Sequence, residues 1–170
     1  MDIKLDYGRH GLIVDLPGQT HVISPRYVLG IVDEVTSIQD AIRNPIGTDP
    51  LSEMVKPGDK ICIVHTDITR ATPNDRLLPV IIAELETAGI LPQNITLLNG
   101  LGTHRFQTED ELRQMLGDSI VDNYACIQHD SKDPDNLVSL EKTSNGNPVR
   151  INKVYMDARS YSCYYTYNHT

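Results

Sequence analysis

Two short runs of the sequence combine residue types that bind anions and move protons. The first is residues 67–70 (Asp-Ile-Thr-Arg) and the second is residues 102–105 (Gly-Thr-His-Arg). An arginine binds a carboxylate or phosphate through paired N–H groups, and a histidine exchanges a proton near neutral pH. A glycine lets the backbone approach a ligand closely. Together the two runs predict a site that holds an acidic or phosphorylated small molecule beside a proton-transfer group.

The first run has several possible roles. Arg70 could bind a carboxylate through a bidentate fork, or it could join Thr69 and Thr72 at a helix start to hold a phosphate. Asp67 could accept hydrogen bonds from a ribose or orient Arg70. The competing interpretation is a capped helix with an Asp–Arg pair on its surface, because structural networks imitate functional sites.

The second run has a similar pair of interpretations. Gly100 and Gly102 would let the chain turn closely around a ligand, and His104 would then be a general base. The structural alternative is a glycine turn with a solvent-facing histidine. A third polar cluster, residues 128–130 (Gln-His-Asp), is interpreted as supporting or structural. Two clusters of reactive residue types on neighbouring strand ends favour a functional site.

Three short apolar runs predict the strands that carry these clusters. They cover residues 60–64, 95–98 and 124–127, and one cluster follows each of them. Such runs are typical of strands buried on both faces of a sheet. Helical segments separate them, which predicts parallel strands joined by right-handed crossovers. The carboxyl ends of parallel strands share one sheet edge, where ligands bind in open α/β folds.

Capping signals mark the two helices between these strands. The first is predicted to begin with Thr72 as its N-cap and to end at Gly89. The second is predicted to begin at Thr108, with Glu111 completing a capping box, and to end at Gly117. Both helices therefore start directly after a polar cluster, as a strand–loop–helix unit requires.

The remaining elements complete the predicted architecture. A hairpin at residues 3–16, a helix at 33–43, and strands at 137–140 and 149–154 are predicted. The fold class is α/β, a three-layer Rossmann-like domain with a mostly parallel sheet and an N-terminal β-hairpin. We expect an N-terminal domain at residues 1–157 and an atypical tyrosine-rich tail at residues 158–170, because residues 160–170 show neither helical nor alternating order.

The amino-acid composition argues against some classes of binding partner. The 170 residues include 23 acidic and 15 basic side chains, for a net charge of −8. This balance argues against nucleic acid or an anionic membrane as the main partner. The start of the chain is charged and has no apolar run, and the three cysteines form no CxxC pair. These features predict a cytoplasmic protein in a reducing compartment.

Several common motifs are missing from the sequence. It has no P-loop pattern, and residues 100–102 (Gly-Leu-Gly) lack the third glycine of a dinucleotide fingerprint. His65, His104 and His129 could meet at the sheet edge, so a zinc-dependent hydrolase remains an alternative. No ligand spacing supports that zinc site.

The clusters, taken in order, resemble a known family. The stretches 67–73, 102–105, 129–130 and 146–152 are similar in type, order and context to the N-terminal domain of the nickel-dependent lactate racemase family. The resemblance covers residues 5 to 157. The first two stretches together are fairly specific, whereas either one alone would not be.

This resemblance implies an activity and a set of residue roles. Members would be two-domain isomerases that racemise or epimerise a 2-hydroxy acid by hydride transfer. Their cofactor would be a nickel-pincer nucleotide derived from nicotinic acid and tethered to a lysine. By resemblance, His104 would be one of two general bases and Arg70 would bind the substrate carboxylate. The residues implied to anchor the nucleotide are Asp67, Thr69, Gly102 and Thr103.

The sequence departs from the family pattern near its end. The second catalytic histidine, the cofactor lysine and the nickel-binding histidine are expected after residue 152. Residues 159–170 contain no lysine and no Gly-Gly pair, and the neighbours of His169 do not match. We therefore expect no metal ligand in this chain, no tethered nickel and no turnover by the chain alone. A face left without its second domain could favour homo-oligomers, and a non-catalytic nucleotide- or phosphate-binding module remains the alternative function.

Overall fold

The computed structural model describes residues 1–8, 10–158 and 160–163. Two compact units make up the chain, Met1–Val32 and Asp33–Thr170. The predicted domain at residues 1–157 and tail at 158–170 stay predictions. Most of that predicted tail, including His169, lies outside the described residues.

The first unit contains an antiparallel hairpin. Strand β1 (Asp2–Leu5) pairs with strand β2 (Leu12–Asp15) along their whole lengths. Gly8 and Gly11 adopt positive φ angles of 57° and 76° in the connection, a conformation that glycine tolerates without strain. The predicted N-terminal hairpin is confirmed.

Strands and helices alternate through most of the second unit. Its strands are β3 (Ile61–His65), β4 (Ile95–Asn99), β5 (Ala125–Gln128), β6 (Leu137–Lys142), β7 (Pro148–Asn152) and β8 (Ser160–Cys163). Its helices are α1 (Glu34–Arg43), α2 (Leu51–Met54), α3 (Asn74–Thr87), α4 (Glu109–Leu116), α5 (Asp118–Asn123) and α6 (Lys153–Asp157). Short 3-10 turns at Pro92–Asn94 and Pro134–Asn136 precede β4 and β6.

A four-stranded sheet forms the centre of this unit. Its strand order is β5-β4-β3-β8, and each neighbouring pair is parallel. The three predicted strands and their parallel arrangement are confirmed. The expectation that residues 160–170 lack regular order is wrong for Ser160–Cys163, which pair with the edge of β3. That pairing is a tertiary contact, so local sequence pattern does not signal it.

Side chains alternate between the two faces of the sheet. On one face, strand residues such as Ile63 and Leu97 pack against α3 residues such as Leu78 and Leu85, and all four are fully buried. On the other face, a smaller cluster joins the sheet to α6 and the residue after it; it contains Cys62, Leu98, Ala158, Val154 and Tyr155. Helices on both faces make the predicted three layers.

Several elements depart from the predictions in their boundaries. Helix α3 begins after Pro73 rather than after Thr72, and its N-cap residue Pro73 makes no side-chain capping hydrogen bond. Asn152 ends strand β7 earlier than predicted, because its side chain accepts a hydrogen bond from the Val154 N–H and starts helix α6. Helices α2, α5 and α6 were not predicted, whereas the capping box at the start of α4 is confirmed.

No helix within the described ranges is long and apolar enough to cross a membrane.

Candidate functional site

The loops that follow β3 and β4 lie side by side at the carboxyl edge of the sheet. The parallel register places His65 opposite Asn99, and the Gly100 N–H donates to the His65 carbonyl at 2.9 Å. The two loops line a pocket of about 390 Å³, formed by Thr66, Asp67, Arg70, Gly100, Leu101, Gly102, Thr103 and His104. Both predicted runs therefore contribute to one site.

Asp67 connects the two loops. Its carboxylate is buried, and one oxygen accepts hydrogen bonds from the Thr69 N–H at 3.1 Å and hydroxyl at 2.6 Å. The other oxygen accepts a hydrogen bond from Nδ1 of His104. Asp67 therefore orients His104. One hypothesis had Asp67 orient Arg70 instead. Thr69 does not line the pocket, and it acts on Asp67 instead.

The charge of this pair follows from its contacts. Burial alone would raise the pKa of Asp67, but the hydrogen bonds from His104 and Thr69 outweigh burial and hold that pKa below its ordinary value of 3.8. Asp67 is thus ionised at neutral pH. An ionised carboxylate on Nδ1 keeps the proton there and leaves the Nε2 lone pair of His104 free to accept another. The side chain of His104 is 46% exposed, so a ligand can reach it.

Arg70 supplies an uncompensated positive charge to the pocket. Within the described part of the chain it forms no ion pair, and its guanidinium only donates to the Thr69 hydroxyl at a long 3.5 Å. The surface Asp67–Arg70 pair of the structural interpretation is therefore not formed. Four other arginines do pair with carboxylates, namely Arg43, Arg76, Arg105 and Arg113. A carboxylate or phosphate of a ligand would complete the coordination of Arg70.

A tight turn presents His104. Its N–H donates to the Leu101 carbonyl at 3.0 Å, and Leu101 is buried. Gly102 sits inside this turn with a φ of 61°, a conformation that mirror-image turns require. A Cβ atom at Gly102 would meet no atom within 4 Å, so the backbone there faces open space. The Gly102–Thr103 peptide is thus accessible to a ligand in the pocket.

Arg105 points away from the pocket despite its place in the second run. Its guanidinium forms a fork with the Glu111 carboxylate at 2.7 and 2.8 Å and also donates to the Phe106 carbonyl. Glu111 in turn accepts from the Thr108 N–H in the capping box of α4. These bonds lower the pKa of Glu111 from 4.5 to about 2, with the bond from Arg105 as the largest cause. Arg105 therefore anchors the loop instead of binding a ligand.

Three amide side chains at the base of the second loop complete the site's framework. Asn99, Gln107 and Gln128 form a chain of hydrogen bonds that links β4, the loop and β5. Sequence reasoning gave Gln128 only a supporting role and missed Asn99 and Gln107. The available signal was a polar amide at the end of each of two apolar strand runs.

The other two candidate histidines do not join His104 in a metal site. His65 is buried and its ring bonds to the Thr66 carbonyl at 3.0 Å; burial lowers its pKa and keeps it neutral. His129 lies against Asn152 at 3.2 Å, and it lines a second pocket of about 210 Å³ that His104 also lines. No group of three metal-ligating side chains occurs among the residues that the structure describes. The zinc hydrolase alternative therefore has no geometric support.

Buried polar atoms without partners lie at the same sheet edge. They are Thr66 Oγ1, Asn74 Oδ1 and Asn99 Oδ1, judged over the described residues. An unsatisfied buried polar atom is costly, so such atoms often mark a place for water or a ligand group. Of the three, Thr66 also lines the larger pocket.

Comparison with known families gives one match across most of the chain. The description of the matching family is lactate racemase N-terminal domain, and it covers residues 7–163. A lactate racemase of Thermoanaerobacterium thermosaccharolyticum is 28% identical over 162 residues, which is 92% of this chain and 38% of the relative. A lactate racemase of Lactiplantibacillus plantarum is 30% identical over 128 residues, 75% of this chain and 30% of the relative. The chain thus spans about a third of the length of these relatives.

Solved structures give the same result. The lactate racemase apoprotein of Thermoanaerobacterium thermosaccharolyticum matches with a TM-score of 0.72 and 27% identity, over 96% of this chain and 38% of that one. A protein of Thermotoga maritima matches with a TM-score of 0.56 and 19% identity, over 76% of this chain and 32% of that one. The second match shows a shared fold alone.

Proposed function

This chain belongs to the lactate racemase N-terminal domain family, and on that premise we propose that it forms the acid- and nucleotide-binding part of a 2-hydroxy acid racemase or epimerase. One observation carries the proposal. The Asp67–His104 pair lies in the same pocket as Arg70, which forms no ion pair with any residue that the structure describes, and this pocket is at the carboxyl edge of a parallel sheet. A 2-hydroxy acid has a carboxylate, which a cation binds, and a hydroxyl group, whose proton an oriented base accepts.

Each of the three side chains has a distinct role in this proposal. Arg70 binds the substrate carboxylate through its guanidinium fork. Nε2 of His104 accepts the proton of the substrate hydroxyl as the substrate is oxidised. The ionised carboxylate of Asp67 then stabilises the imidazolium that forms, since the two groups are already hydrogen-bonded.

The implied cofactor fits the described residues only in its nucleotide part. The open Gly102–Thr103 backbone and the Thr66 hydroxyl, which has no partner among the described residues, suit a polar nucleotide. The nickel-pincer nucleotide would supply the hydride acceptor. The described residues contain no set of metal ligands for nickel, so we derive no step through the metal. The anchoring roles of Asp67 and Thr69 stay predictions, since both side chains already bond within the chain.

Binding of lactate to the purified chain tests the proposal. We expect isothermal titration calorimetry to detect D- and L-lactate, and Arg70→Ala to weaken binding about tenfold or more, because a charged hydrogen-bonded pair is lost. Arg150→Ala is the matched control, since Arg150 is exposed and does not line the pocket. Equal affinities for wild type and Arg70→Ala would contradict the assignment of Arg70 as the carboxylate ligand.

We also propose that the chain on its own does not turn over substrate. Residues 159–170 contain no lysine that could tether a nucleotide. Purified protein should therefore hold no stoichiometric nickel by elemental analysis and should show no racemase activity. Detection of either would overturn this proposal. A cytoplasmic location and homo-oligomers through an exposed apolar face remain proposals; sedimentation as a clean monomer would argue against the latter.

The second candidate function is a non-catalytic nucleotide- or phosphate-binding module. The unpaired Arg70 beside an open glycine backbone favours it as well. Nicotinic acid mononucleotide is the probe that separates the two. Binding of this mononucleotide, lost in Arg70→Ala and accompanied by no lactate binding, would favour the module over the racemase domain.

A further inference from the structure

We propose that Gln107 and Gln128 are positioning residues that hold His104 in its working geometry. The inference rests on the proposed role of His104 as a base. It concerns two amide side chains that lie outside the pocket and do not touch a ligand there. Their effect on the site would pass through the loop at residues 100–106.

The side chain of Gln128 both accepts a hydrogen bond from the backbone of Gln107 and donates one to it. Its Oε1 accepts from the Gln107 N–H at 2.7 Å, and its Nε2 donates to the Gln107 carbonyl at 2.9 Å. The side-chain amide thus pairs with the Gln107 backbone as the backbone of a neighbouring strand would. Because Gln128 is the last residue of β5, this pairing ties the end of the loop to the rigid sheet.

The side chain of Gln107 extends the connection to the start of the same loop. Its Oε1 accepts from Nδ2 of Asn99 at 2.6 Å, and both residues are buried. Asn99 is the last residue of β4, so the chain leaves the sheet at Asn99 and returns to it at Gln107. This buried amide–amide bond and the two bonds from Gln128 to Gln107 together form a clamp, which joins the two ends of the loop to each other and to β5. Closing a loop at its base removes most of its conformational freedom.

The clamp matters because His104, the proposed general base, is exposed and held by few contacts. His104 makes one side-chain bond, to Asp67, among the described residues. A shift of the loop would lengthen and weaken that bond, and the ring tautomer that it fixes would no longer be held. Leu101 and the Arg105–Glu111 pair restrain other parts of the loop, whereas the clamp joins the loop's two ends.

The test is the tautomer of His104 in the purified chain, measured from its ring nitrogens by long-range ¹H–¹⁵N NMR. Spectra are recorded at pH 8.5, above the ordinary imidazole pKa of about 6.5, and the signals are assigned with His104→Gln. In wild type we expect protonated Nδ1 and a free Nε2. In Gln128→Ala both tautomers should appear, and amide exchange at residues 102–104 should accelerate about tenfold or more, because two hydrogen bonds are lost.

Two further variants make the result decisive. Gln128→Glu keeps the acceptor for the Gln107 N–H but places an oxygen against the Gln107 carbonyl, so it should fall between wild type and Gln128→Ala. It also replaces Gln128→Ala if that variant does not fold. Gln93→Ala is the control, because Gln93 is exposed and precedes the opposite end of β4. It should match wild type.

A fixed tautomer in both Gln128 variants, with only faster amide exchange, would overturn the proposal and leave a purely structural tether. A tautomer change in Gln93→Ala would overturn it too, since the effect would not be specific to the clamp. The measurement needs no ligand. Failure of wild type to bind lactate would therefore count against the proposed function and leave this inference standing.

Discussion

The two loops at the sheet edge hold their reactive side chains by different means. In the loop after β3, Asp67 is fixed by residues two and three positions away, through the Thr69 N–H and hydroxyl and the Arg70 N–H. In the loop after β4, the anchors of the chain around His104 come from Gln128, 21 residues from its partner, and from Glu111 in the next helix.

This difference has a consequence for how each loop responds to change. The position of Asp67 is encoded within a few residues, so it should survive most substitutions elsewhere. The position of His104 depends on contacts with other elements, so it should be sensitive to substitutions that never touch the pocket. Among the described residues, the Asp67–His104 bond couples the two loops through their side chains, and the Gly100–His65 backbone bond joins them at the sheet edge. Substitutions in the shared core and in each loop test this distinction between local and distant anchoring.

The largest expected effect comes from the core that both loops share. Ile63 is fully buried in β3, and Ile63→Ala should cost about 2–5 kcal/mol of unfolding free energy, because a cavity replaces packed methylene groups. Urea denaturation measures the loss, and hydrogen exchange should show both loops losing protection together. Ile127→Ala, at a residue that is 37% exposed, is the control and should cost far less. Loss of protection in one loop alone would show that the loops do not share this core.

The second-largest expected effect comes from the hydrogen bond between Asp67 and His104, which joins the two loops. Asp67→Asn removes the charge that His104 faces, and it should cost about 1–3 kcal/mol at neutral pH, as expected for a buried charged hydrogen bond. The folded-state pKa of Asp67 lies below the ordinary 3.8, so its contribution is present above pH 3.8 and is lost as the pH falls through the folded-state pKa. Stability curves of the two proteins should therefore converge in acid.

The exposed Asp49 provides the matched control for that substitution. Asp49→Asn should leave the unfolding free energy nearly unchanged at every pH, because Asp49 is exposed. In Asp67→Asn the loop after β4 should also lose amide protection. If only the loop after β3 responded, the bond between Asp67 and His104 would not couple the two loops.

The same contrast explains how much of the molecule the sequence could reveal. Short apolar runs and the Thr108–Glu111 capping box are local patterns, and they predicted the three central strands and the start of α4. The grouping of the two runs in one pocket followed from the rule that parallel strands share an edge. These predictions needed no knowledge of distant contacts.

The anchors of the second loop could not be predicted in that way. Residues 37 positions apart form the Asp67–His104 bond, and nothing in the spacing of either residue names the other. Arg105 belongs to the second predicted run, but its partner Glu111, six residues further on, ties it to the cap of α4 and not to the pocket. The strand Ser160–Cys163 likewise forms because β3 offers a free edge. In each case a tertiary contact determines which residues pair, and the local sequence pattern does not indicate that contact.

A smaller effect is expected from the turn that presents His104. Gly102→Ala places a Cβ on a residue with a φ of 61° and meets no neighbour, so backbone strain of about 1 kcal/mol should be its whole cost. Gly100→Ala is the control, because Gly100 has no positive φ and its Cβ would make ordinary contacts from 3.4 Å. Thermal unfolding should rank the two in this order. Equal losses would show that the turn does not require its positive φ.

The smallest effect concerns the outer anchor of the same loop. Arg105→Ala should raise the pKa of Glu111 from about 2 towards 4.5, but not fully, because the Thr108 N–H still donates to that carboxylate. Since the folded-state pKa of Glu111 is lowered, the contribution of Arg105 is present above pH 4.5 and is lost as the pH falls to about 2. NMR titration of the Glu111 carboxyl measures the shift, with Arg76→Ala as control because Arg76 pairs with Glu34 instead. An unchanged pKa in Arg105→Ala would mean that the helix cap alone holds Glu111, and the loop would then depend on its base clamp for position.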